Sequence, residues 1–466
     1  MAEDRFTLDT LAGYAKRRGF IFQSSEIYGG LAAVYDYGHY GALLKDNIRD
    51  EWKKDMLLRD DVKYLDSAIF MSPITWKASG HLDSFSDPEI DCRTCKNRMK
   101  ADELLEPLGI KEADRMPLEE VNKEIARLKE EGILKCNKCG GSDLTDAKQF
   151  DLMVKSNLGS PTSELSEENV VYLRAETCQG IYLNYKNYMQ TMRVKLPFGI
   201  AQIGKAFRNE IVARQYVFRT REFEQCEMQY FLHPSIINEK YEYWKNERMN
   251  WWKNVLGIDE ARLRFKDHDK LAHYASAAVD IQYNFKCLDD FAEVEGVHQR
   301  GDWDLSRHQE YSKENMEYFD QERNEKYIPH IMETSGGLTR MALAVLDNGY
   351  TEETLPDGSV RTVMKIAPRI APIKAAIFPL TKDEKLVEIS RNITEQLQKS
   401  MMVEYDVSGS IGKRYRRQDE IGTPMCITVD FETLEDDSVT IRDRDTLEQI
   451  RVKVDEVEKV VRERLV

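Results

Sequence analysis

The stretch that decides the fold is Gly204-Lys-Ala-Phe207-Arg208-Asn209-Glu210, followed after a loop by Phe218-Arg219-Thr220-Arg221-Glu222-Phe223-Glu224-Gln225-Cys226-Glu227. It predicts a strand, a loop and a second strand, with arginines and carboxylates at the strand ends. The planar fork of arginine suits bidentate phosphate binding, and a flat ring such as Phe223 offers a face for a base. Carboxylates beside the arginines can bind an amine or Mg²⁺. The stretch therefore predicts a nucleotide site.

A second segment is expected to complete this site from further along the chain. It reads Glu333-Thr-Ser335-Gly336-Gly337-Leu338-Thr339-Arg340 and continues into the apolar run Met341 to Leu346. Glycines let the backbone approach a ligand closely, and a strand, a Gly-Gly turn and a helix would point Arg340 into the site. Alone, this pattern is more often an ordinary turn before a helix. Combined with the first stretch, it favours a ligand site.

The elements around these segments predict an α+β fold with a mostly antiparallel sheet. Glu227 to Leu232 and Asp290 to Val297 are expected to be strands, and Asn238 to Leu256 is expected to be a long helix. Strands that are separated by long inserted helices favour this class. Beyond Pro368 and Pro372, strands and helices alternate, with a last helix predicted from Leu447 to Leu465. This alternation predicts a small C-terminal α/β domain.

Composition limits the class of protein. The 466 residues include 67 Lys and Arg and 82 Asp and Glu, which gives a net charge of −15, and 41% of the residues are hydrophobic. No apolar run approaches the ~20 residues of a membrane helix, and the first residues lack the apolar core of a secretory signal. We therefore expect a cytoplasmic protein without a membrane partner. The negative charge alone argues against nonspecific binding to nucleic acid.

Four of the eight cysteines form two matched pairs. Cys92 and Cys95, and then Cys136 and Cys139 with a trailing Gly-Gly, can supply four thiolates to one tetrahedral Zn²⁺. Four protein thiolates leave no open coordination position, so a structural zinc is favoured over a catalytic one. The alternative is four unrelated reduced cysteines. No histidine site is predicted, because His81, His273 and His298 lack the spacing of metal ligands on a helix.

These motifs resemble those of class II aminoacyl-tRNA synthetases. Phe207 to Glu210 with Phe223 resembles the second motif of that class, and Gly336 to Arg340 resembles the third. The chain is most similar to the homodimeric glycyl-tRNA synthetases, through segments that span residues 20 to 425. Those segments include Tyr35-Asp-Tyr37-Gly38, Ala78-Ser-Gly80-His81, Arg174-Ala-Glu176-Thr177, Arg221-Glu222-Phe223 and Gly412-Lys-Arg-Tyr-Arg-Arg417.

The resemblance implies a domain plan and an activity. It implies an antiparallel-sheet catalytic domain formed by residues 1–88, which include a dimer-forming first motif, and by residues 148–368. A zinc-binding insert is expected at 89–147, and an anticodon-binding α/β domain at 369–466. The implied activity is ligation of glycine to tRNA(Gly) with ATP, through glycyl-adenylate and with release of pyrophosphate. The implied partners are tRNA, glycine, ATP, Mg²⁺ and a second copy of the chain, but not DNA.

The resemblance also implies roles for individual residues. Arg208, Glu210 and Arg340 are expected to be catalytic, with Arg208 on the α-phosphate, Glu210 at the adenine edge and Arg340 over the second adenine face. The implied ATP contacts are Arg208, Asn209, Glu210, Phe218, Arg219, Arg221, Phe223, Glu293, Val294, Gly337 and Arg340. The implied glycine contacts are Arg98, Glu176, Phe223, Glu227, Glu333, Ser335 and Gly337. Alternatively, Arg98 is a solvated arginine of the zinc module, and either of Glu176 and Glu227 alone would more often be an ordinary paired carboxylate.

The basic run near the C-terminus is predicted to contact tRNA. Lys413, Arg414, Arg416 and Arg417 surround Tyr415, and cations with an aromatic ring suit phosphate contact and base stacking. The alternative is a solvated surface loop. With the net charge of −15, such local patches predict selective, salt-sensitive tRNA binding.

Two departures from the family pattern and two rival hypotheses remain. Tyr37-Gly38-His39-Tyr40-Gly41 and Val212-Ala213-Arg214 differ from the usual motifs, which affects loop conformation. One rival is a catalytically silent, nucleic-acid-binding relative, which predicts loss of Arg208, Glu210 or Arg340, although all three are present. The other is a zinc-ribbon protein whose activity lies in the insert, which leaves the nucleotide motifs unexplained.

Overall fold

The structure is a computed structural model that describes residues 6–111, 113, 116–158, 169–211, 215–268 and 276–465. Its helices are α1 (Leu8–Arg17), α2 (His39–Leu57), α3 (Pro73–Ala78), α4 (His81–Ser84), α5 (Ala101–Leu105), α6 (Leu118–Glu130), α7 (Cys178–Met192), α8 (Ile237–Asn254), α9 (Trp303–Ser312), α10 (Leu338–Gly349), α11 (Glu384–Gln398), α12 (Ile411–Ile421), α13 (Thr433–Asp436) and α14 (Val457–Glu463).

The strands of the first half of the chain are β1 (Ile21–Gln23), β2 (Tyr35–Tyr37), β3 (Val62–Leu65), β4 (Phe70–Met71), β5 (Ser86–Asp91), β6 (Arg98–Lys100), β7 (Lys148–Asp151), β8 (Val154–Asn157), β9 (Val170–Leu173), β10 (Phe198–Phe207) and β11 (Glu222–Leu232). Those of the second half are β12 (Leu263–Asp267), β13 (Ala277–Phe285), β14 (Asp290–Gly301), β15 (Tyr318–Asp320), β16 (Glu325–Tyr327), β17 (His330–Gly337), β18 (Tyr350–Thr354), β19 (Val360–Met364), β20 (Ala375–Pro379), β21 (Val403–Tyr405), β22 (Met425–Val429), β23 (Ser438–Asp443) and β24 (Gln449–Lys453).

The main sheet confirms the predicted α+β class. Its seven strands run in the order β12-β13-β14-β17-β11-β10-β3, and every neighbouring pair is antiparallel except β10 with β3. Strands that are distant in sequence, such as β11 and β17, are therefore neighbours in the sheet. This order brings the two motif-bearing segments side by side.

Two helices with different residue patterns cover this sheet. α8 buries Tyr241, Trp244, Arg248 and Trp252, which recur at the three- to four-residue spacing of one helix face. α10 is buried on nearly all sides, as expected for a helix that is apolar all round and packs against β11 and α2. The largest hydrophobic core of the described residues therefore lies between the main sheet and these helices.

The segment with the four cysteines forms a small module with its own core. β5, β6 and β7 make a three-stranded sheet, and Val121, Ile125 and Leu128 on α6 pack with Ile90 into one buried cluster. The apolar positions of α6 therefore face this cluster.

The C-terminal part has the predicted α/β pattern, but one expected element is wrong. Its sheet runs β21-β20-β22-β23-β24, with α11 against it. The continuous helix expected from Leu447 to Leu465 is instead the strand β24 followed by the short helix α14. β24 is an edge strand that buries only Val452, so its sequence lacks the strong alternation that signals a half-buried strand.

The short strand β4 lies outside the main sheet and pairs with β9. The strand β3, which precedes it, is the parallel edge strand of the main sheet. In the described part of the chain, no helix has both the length and the apolar composition of a bilayer span.

Candidate active site

The sheet register explains why distant motifs meet. Phe207 pairs with Glu222 across β10 and β11, while Gln225 pairs with Gly337 and Glu227 with Ser335 across β11 and β17. Side chains of a strand point alternately to the two faces, so those two residues apart share one face. The two predicted segments thus form one continuous surface.

An open cavity lies at the ends of these strands. Its volume is about 170 Å³. The lining residues that the sequence predicted are Arg208, Glu210, Phe218, Arg219, Phe223, Glu293, Ser335, Gly337 and Arg340. Eight of the eleven predicted ATP contacts therefore meet in one place.

Arg208 is held at the cavity between two aromatic rings. Its guanidinium carbon lies 5.3 Å from the ring centre of Phe223 and 5.2 Å from that of Phe85, and its Nε donates to the carbonyl of Ala175. Cation–π contact with both rings and the hydrogen bond to Ala175 restrict the position of the guanidinium. This arrangement orients a charged fork toward a ligand in the cavity.

Arg340 is positioned in a similar way on the other side. It lies 4.4 Å from the ring centre of Phe218, donates to the carbonyls of Phe218 and Glu293, and pairs with the Glu293 carboxylate at 3.4 Å. Half of the Glu293 side chain remains exposed. The first turn of α10 therefore delivers Arg340 into the same cavity as Arg208.

Other predicted ATP residues hold the site together through the backbone. Arg221 donates twice to the carbonyl of Glu210, and Asn209 donates to the carbonyl of Asp151. The side chain of Val294 is buried in the hydrophobic core, so only its backbone can face a ligand. Val212-Ala213-Arg214 lie outside the described residues.

A second feature, a carboxylate pocket formed by Glu176, Glu227 and Glu333, adjoins the cavity at Ser335. Glu227 and Glu333 are buried, and Glu176 keeps 17% of its side chain exposed. Ligand atoms of Cys178, Glu227 and Glu333 all lie within 4.8 Å of one another, and the Cys178 thiol donates to Glu176 at 2.9 Å. Three carboxyl groups therefore meet in one pocket.

The three carboxyl groups of the pocket differ in pKa. Burial, together with the charges of Glu333 and Glu176, raises the pKa of Glu227 to about 8. Burial would also raise the pKa of Glu333, but the charge of Arg300 and the contact with His298 lower it to about 2. For Glu176, His81 and Arg300 outweigh burial and hold the pKa well below its usual value. Glu227 is therefore the carboxyl group of the pocket that titrates near neutral pH.

The residues that stabilise this pocket were not predicted from the sequence. His298 Nδ1 lies 3.0 Å from Glu333, Arg300 donates to Glu333 at 3.1 Å, and Gln229 donates to it at 2.6 Å. His81 lies 3.4 Å from Glu176. The polar sequence His298-Gln-Arg300 within a strand next to β17 was the available signal, since buried charges in a central strand need partners.

Cys178 and Cys226 are both fully buried, which fits a packing role for each. Burial raises the pKa of each thiol well above its usual value, which disfavours the thiolate needed for nucleophilic attack.

The ion pairs of Arg98 are with residues of the cysteine module and not with the carboxylate pocket. It stands on β6 in the cysteine module, where its Nε is 3.1 Å from Asp91 and 3.3 Å from Glu89. Nearly half of its side chain is exposed. Its role as a glycine contact stays a prediction.

The four cysteines converge as predicted. All four sulfurs lie within 4.8 Å of one another, with Cys92 to Cys139 and Cys95 to Cys136 both at 3.7 Å. A tetrahedron with Zn–S bonds of about 2.3 Å has S···S edges of about 3.8 Å, which matches these separations. The backbone N–H groups of Lys138 and Gly141 point at sulfurs. The cluster can hold a metal ion.

The basic run is a helix rather than a loop, and its members differ. Lys413, Arg416 and Arg417 are exposed along one side of α12. Arg414 is buried, donates to the carbonyls of Pro379, Leu380 and Asp406, and packs against Phe378. Arg414 is therefore a structural residue, and the predicted RNA contact stays with the exposed three.

Comparison with known proteins agrees with this arrangement. Residues 162–349 match the tRNA synthetase class II core domain (G, H, P, S and T), and residues 374–464 match the anticodon binding domain. The chain is 47% identical to a glycine--tRNA ligase of Treponema denticola, covering 97% of this chain and 96% of the relative. It is 48% identical to that of Geobacillus kaustophilus, covering 98% and 99%.

Solved structures support the fold independently. A prolyl-tRNA synthetase from Cryptosporidium parvum superposes with a TM-score of 0.65 at 14% identity, covering 100% of this chain and 77% of that one. Motif-bearing strands, a class II core, an anticodon-binding domain and relatives of nearly equal length agree, and the chain therefore belongs to the glycine--tRNA ligase family of ATP-dependent class II aminoacyl-tRNA ligases.

Proposed function

We propose that the carboxylate pocket binds the ammonium group of glycine while the adjoining cavity binds ATP, so that the chain makes glycyl-adenylate and transfers glycine to tRNA(Gly). The observation that carries this proposal is the convergence of Glu176, Glu227 and Glu333 beside a cavity that contains Arg208. An ammonium group presents three donors and a positive charge, which these carboxylates and the Ser335 hydroxyl can satisfy.

In the cavity proposed for ATP, the position of each lining residue suggests which part of ATP it contacts. Arg208 reaches the α-phosphate as a planar fork, and Phe223 stacks on the adenine whose edge faces Glu210. Arg340 covers the other face, and Arg219 lies toward the departing pyrophosphate. Mg²⁺ would be held by phosphate oxygens and the exposed Glu293 carboxylate, and it would neutralise phosphate charge.

Activation then needs positioning more than side-chain acid–base chemistry. The glycine carboxylate attacks the α-phosphorus in line, and pyrophosphate leaves with the bonding electron pair. Arg208 and Arg340 stabilise the charge that develops on the phosphate oxygens. In the second step a terminal ribose hydroxyl of tRNA attacks the activated carbonyl and releases AMP. We assign no protein base to this step.

The fit of the cysteine cluster supports a structural Zn²⁺. Four thiolates at tetrahedral separations close the coordination sphere, so the ion would brace β5, β6 and the segment from Cys136 to Cys139. Metal analysis of protein purified without chelator should give zinc near one equivalent for this site. Protein without zinc, with all four cysteines reduced, would contradict the assignment.

The remaining parts of the proposal concern partners and location. Lys413, Arg416 and Arg417 contact tRNA from the exposed side of α12, because exposed cations can meet phosphate. Arg417 would do so while paired with Asp406 at 2.6 Å. The resemblance to homodimeric synthetases supports a dimer of this chain in the cytoplasm. Light scattering of the purified chain checks the mass, and a monomer at micromolar concentration would contradict the dimer.

The deciding experiment is ATP–pyrophosphate exchange with each amino acid in turn. Exchange that depends on glycine is expected, and Arg208→Ala should reduce it by about 10³-fold because a charge contact in the transition state is lost. Arg391→Ala is the matched control, since Arg391 also lies over a ring, Tyr405, but in the C-terminal domain. Absence of glycine-dependent exchange would overturn the proposed function.

A further inference from the structure

Two histidines and an aspartate, residue types that can bind a metal ion, meet near the edge of the main sheet, outside the proposed substrate contacts. His268 directly follows β12, Asp280 lies on β13 and His298 lies on β14. Their ligand atoms all lie within 4.8 Å of one another. His268 Nε2 is 2.8 Å from Asp280 Oδ1, and His298 Nε2 is 3.9 Å from the same oxygen. Three neighbouring strands thus supply two imidazoles and one carboxylate to one point.

The buried nitrogen at this point lacks a hydrogen bond. His298 Nε2 is shielded from solvent, and within the described residues it has no hydrogen-bond partner, since 3.9 Å to Asp280 is too long. A buried polar atom without a partner is costly, and in a native structure it needs an explanation. A cation between the two imidazoles and Asp280 would satisfy this nitrogen.

The other side of the His298 ring is already arranged as metal sites require. Its Nδ1 lies 3.0 Å from the Glu333 carboxylate, which fixes the tautomer and leaves Nε2 directed at the cluster. A carboxylate that accepts the second ring N–H is the usual support of a metal-ligating histidine. This contact is independent of the cluster itself and points to a ligand.

The backbone next to His298 leaves the space that this arrangement needs. Gly296 pairs with Asp280 in the sheet, and a Cβ on Gly296 would lie 2.7 Å from His298 Nε2. Any side chain at 296 would therefore displace the ring from Asp280. A glycine here keeps the three ligand atoms together.

We propose that His268 Nε2, Asp280 Oδ1 and His298 Nε2 bind a divalent transition-metal ion, separate from the four-cysteine cluster. Two imidazoles with one carboxylate suit Zn²⁺, Co²⁺, Ni²⁺ or Fe²⁺, whereas Mg²⁺ and Ca²⁺ prefer oxygen ligands alone. The ion joins β12, β13 and β14 and leaves positions open for water. Because His298 also contacts Glu333, the ion lies one residue away from the carboxylate pocket.

The test measures metal binding to the full chain, with Co²⁺ and Zn²⁺ as probes. Protein with its cysteine cluster loaded is titrated with Co²⁺, and the added equivalent should give weak d–d absorption without a sulfur charge-transfer band. A separate sample that is incubated with Zn²⁺ and passed through gel filtration should contain two equivalents of Zn²⁺. A wild-type chain that binds only the cysteine-held equivalent would overturn the proposal.

Variants assign the site. His268→Ala and Asp280→Asn should weaken the second equivalent by at least about 100-fold and leave the first intact, because each removes a direct ligand. His233→Ala is the matched control, since His233 also lies beside a carboxylate, Glu325, away from the cluster. Unchanged binding in His268→Ala would refute the assignment. His268 is partly exposed, so this variant should fold; the cobalt spectrum of the wild type tests the site without any variant.

Discussion

The carboxylate pocket and the basic helix α12 both contain several charged side chains close together, but these side chains differ in burial and in their partners. In the pocket, Glu333 is buried against Arg300, His298 and Gln229, while Glu227 shares its negative surroundings with Glu176. On α12, Arg414 is buried against backbone carbonyls, and Arg416 is exposed. Burial and partners, rather than residue type, decide which charge holds the fold and which can meet a ligand.

The comparison predicts that a pocket charge serves binding and that Arg414 serves stability. Burial and the charges of Glu333 and Glu176 raise the pKa of Glu227, so an arriving ammonium group would stabilise its carboxylate. The guanidinium of Arg414 already donates hydrogen bonds to the backbone carbonyls of Pro379, Leu380 and Asp406. Four experiments separate these roles, in order of decreasing effect.

The largest effect is expected from Glu227→Gln, measured as kcat/KM for glycine in pyrophosphate exchange. At about pH 9 the wild-type group is ionised, and loss of one charged contact, about 1.5–3 kcal/mol, should reduce kcat/KM by about 10- to 150-fold. Glu222→Gln, on the same strand but paired with Lys205, is the control. An unchanged kcat/KM in Glu227→Gln would contradict ammonium binding here.

The next effect is on stability. Arg414→Ala should lower the free energy of unfolding of the C-terminal domain by about 2 kcal/mol, because buried carbonyls lose their donors. Hydrogen exchange of the full chain, read at residues 375–429, measures this change. Arg416→Ala is the matched control and should stay within about 0.5 kcal/mol. Equal loss of hydrogen-exchange protection in both variants would contradict the structural role of Arg414.

The pH dependence of glycine use is the third measurement. The protonated form of Glu227 is neutral, so ammonium binding favours the carboxylate, and kcat/KM should rise as the pH rises toward about 8 and level off above it. The slope should reach at most about tenfold per pH unit, since one unit of pKa is about 1.4 kcal/mol. Glu227→Gln should lack this slope. The same slope in both proteins would assign the titration to another group.

The smallest effect is expected on tRNA. Lys413→Ala with Arg416→Ala should raise the KM for tRNA a few-fold and reduce its salt dependence by about one to two charges, because phosphate contacts are lost. Pyrophosphate exchange should not change. Lys399→Ala, an exposed cation elsewhere in the same domain, is the control. A loss of exchange equal to the loss of aminoacylation would contradict a role confined to tRNA.

Much of the site was accessible from sequence because its residues are continuous along two strands. Phe207 to Glu210 and Phe218 to Glu227 lie on β10 and β11 and in the loop between them, so local order already implied a shared site. His298 and Arg300 were missed because their partner Glu333 lies on another strand. Only the pairing of β14 with β17 places them together.

The same reason explains the errors in the C-terminal domain. Four of the five residues from Lys413 to Arg417 are basic, so the sequence does not distinguish them. A helix turns neighbouring residues to different faces, and Arg414 is therefore buried while Arg416 is exposed. The segment after Leu447 is a strand because β23 offers it an edge to pair with. Neither outcome depends on local propensity alone.

The sequence by itself determined the class of fold, the nucleotide motifs, the paired cysteines and the likeness to a synthetase family, because these depend on residue types at short spacing. Tertiary structure decided which carboxylates are buried, that Glu227 titrates near neutral pH and that His268, Asp280 and His298 meet. Protonation and coordination depend on burial and on atoms a few ångströms away, and those neighbours come from distant segments only when the sheet assembles.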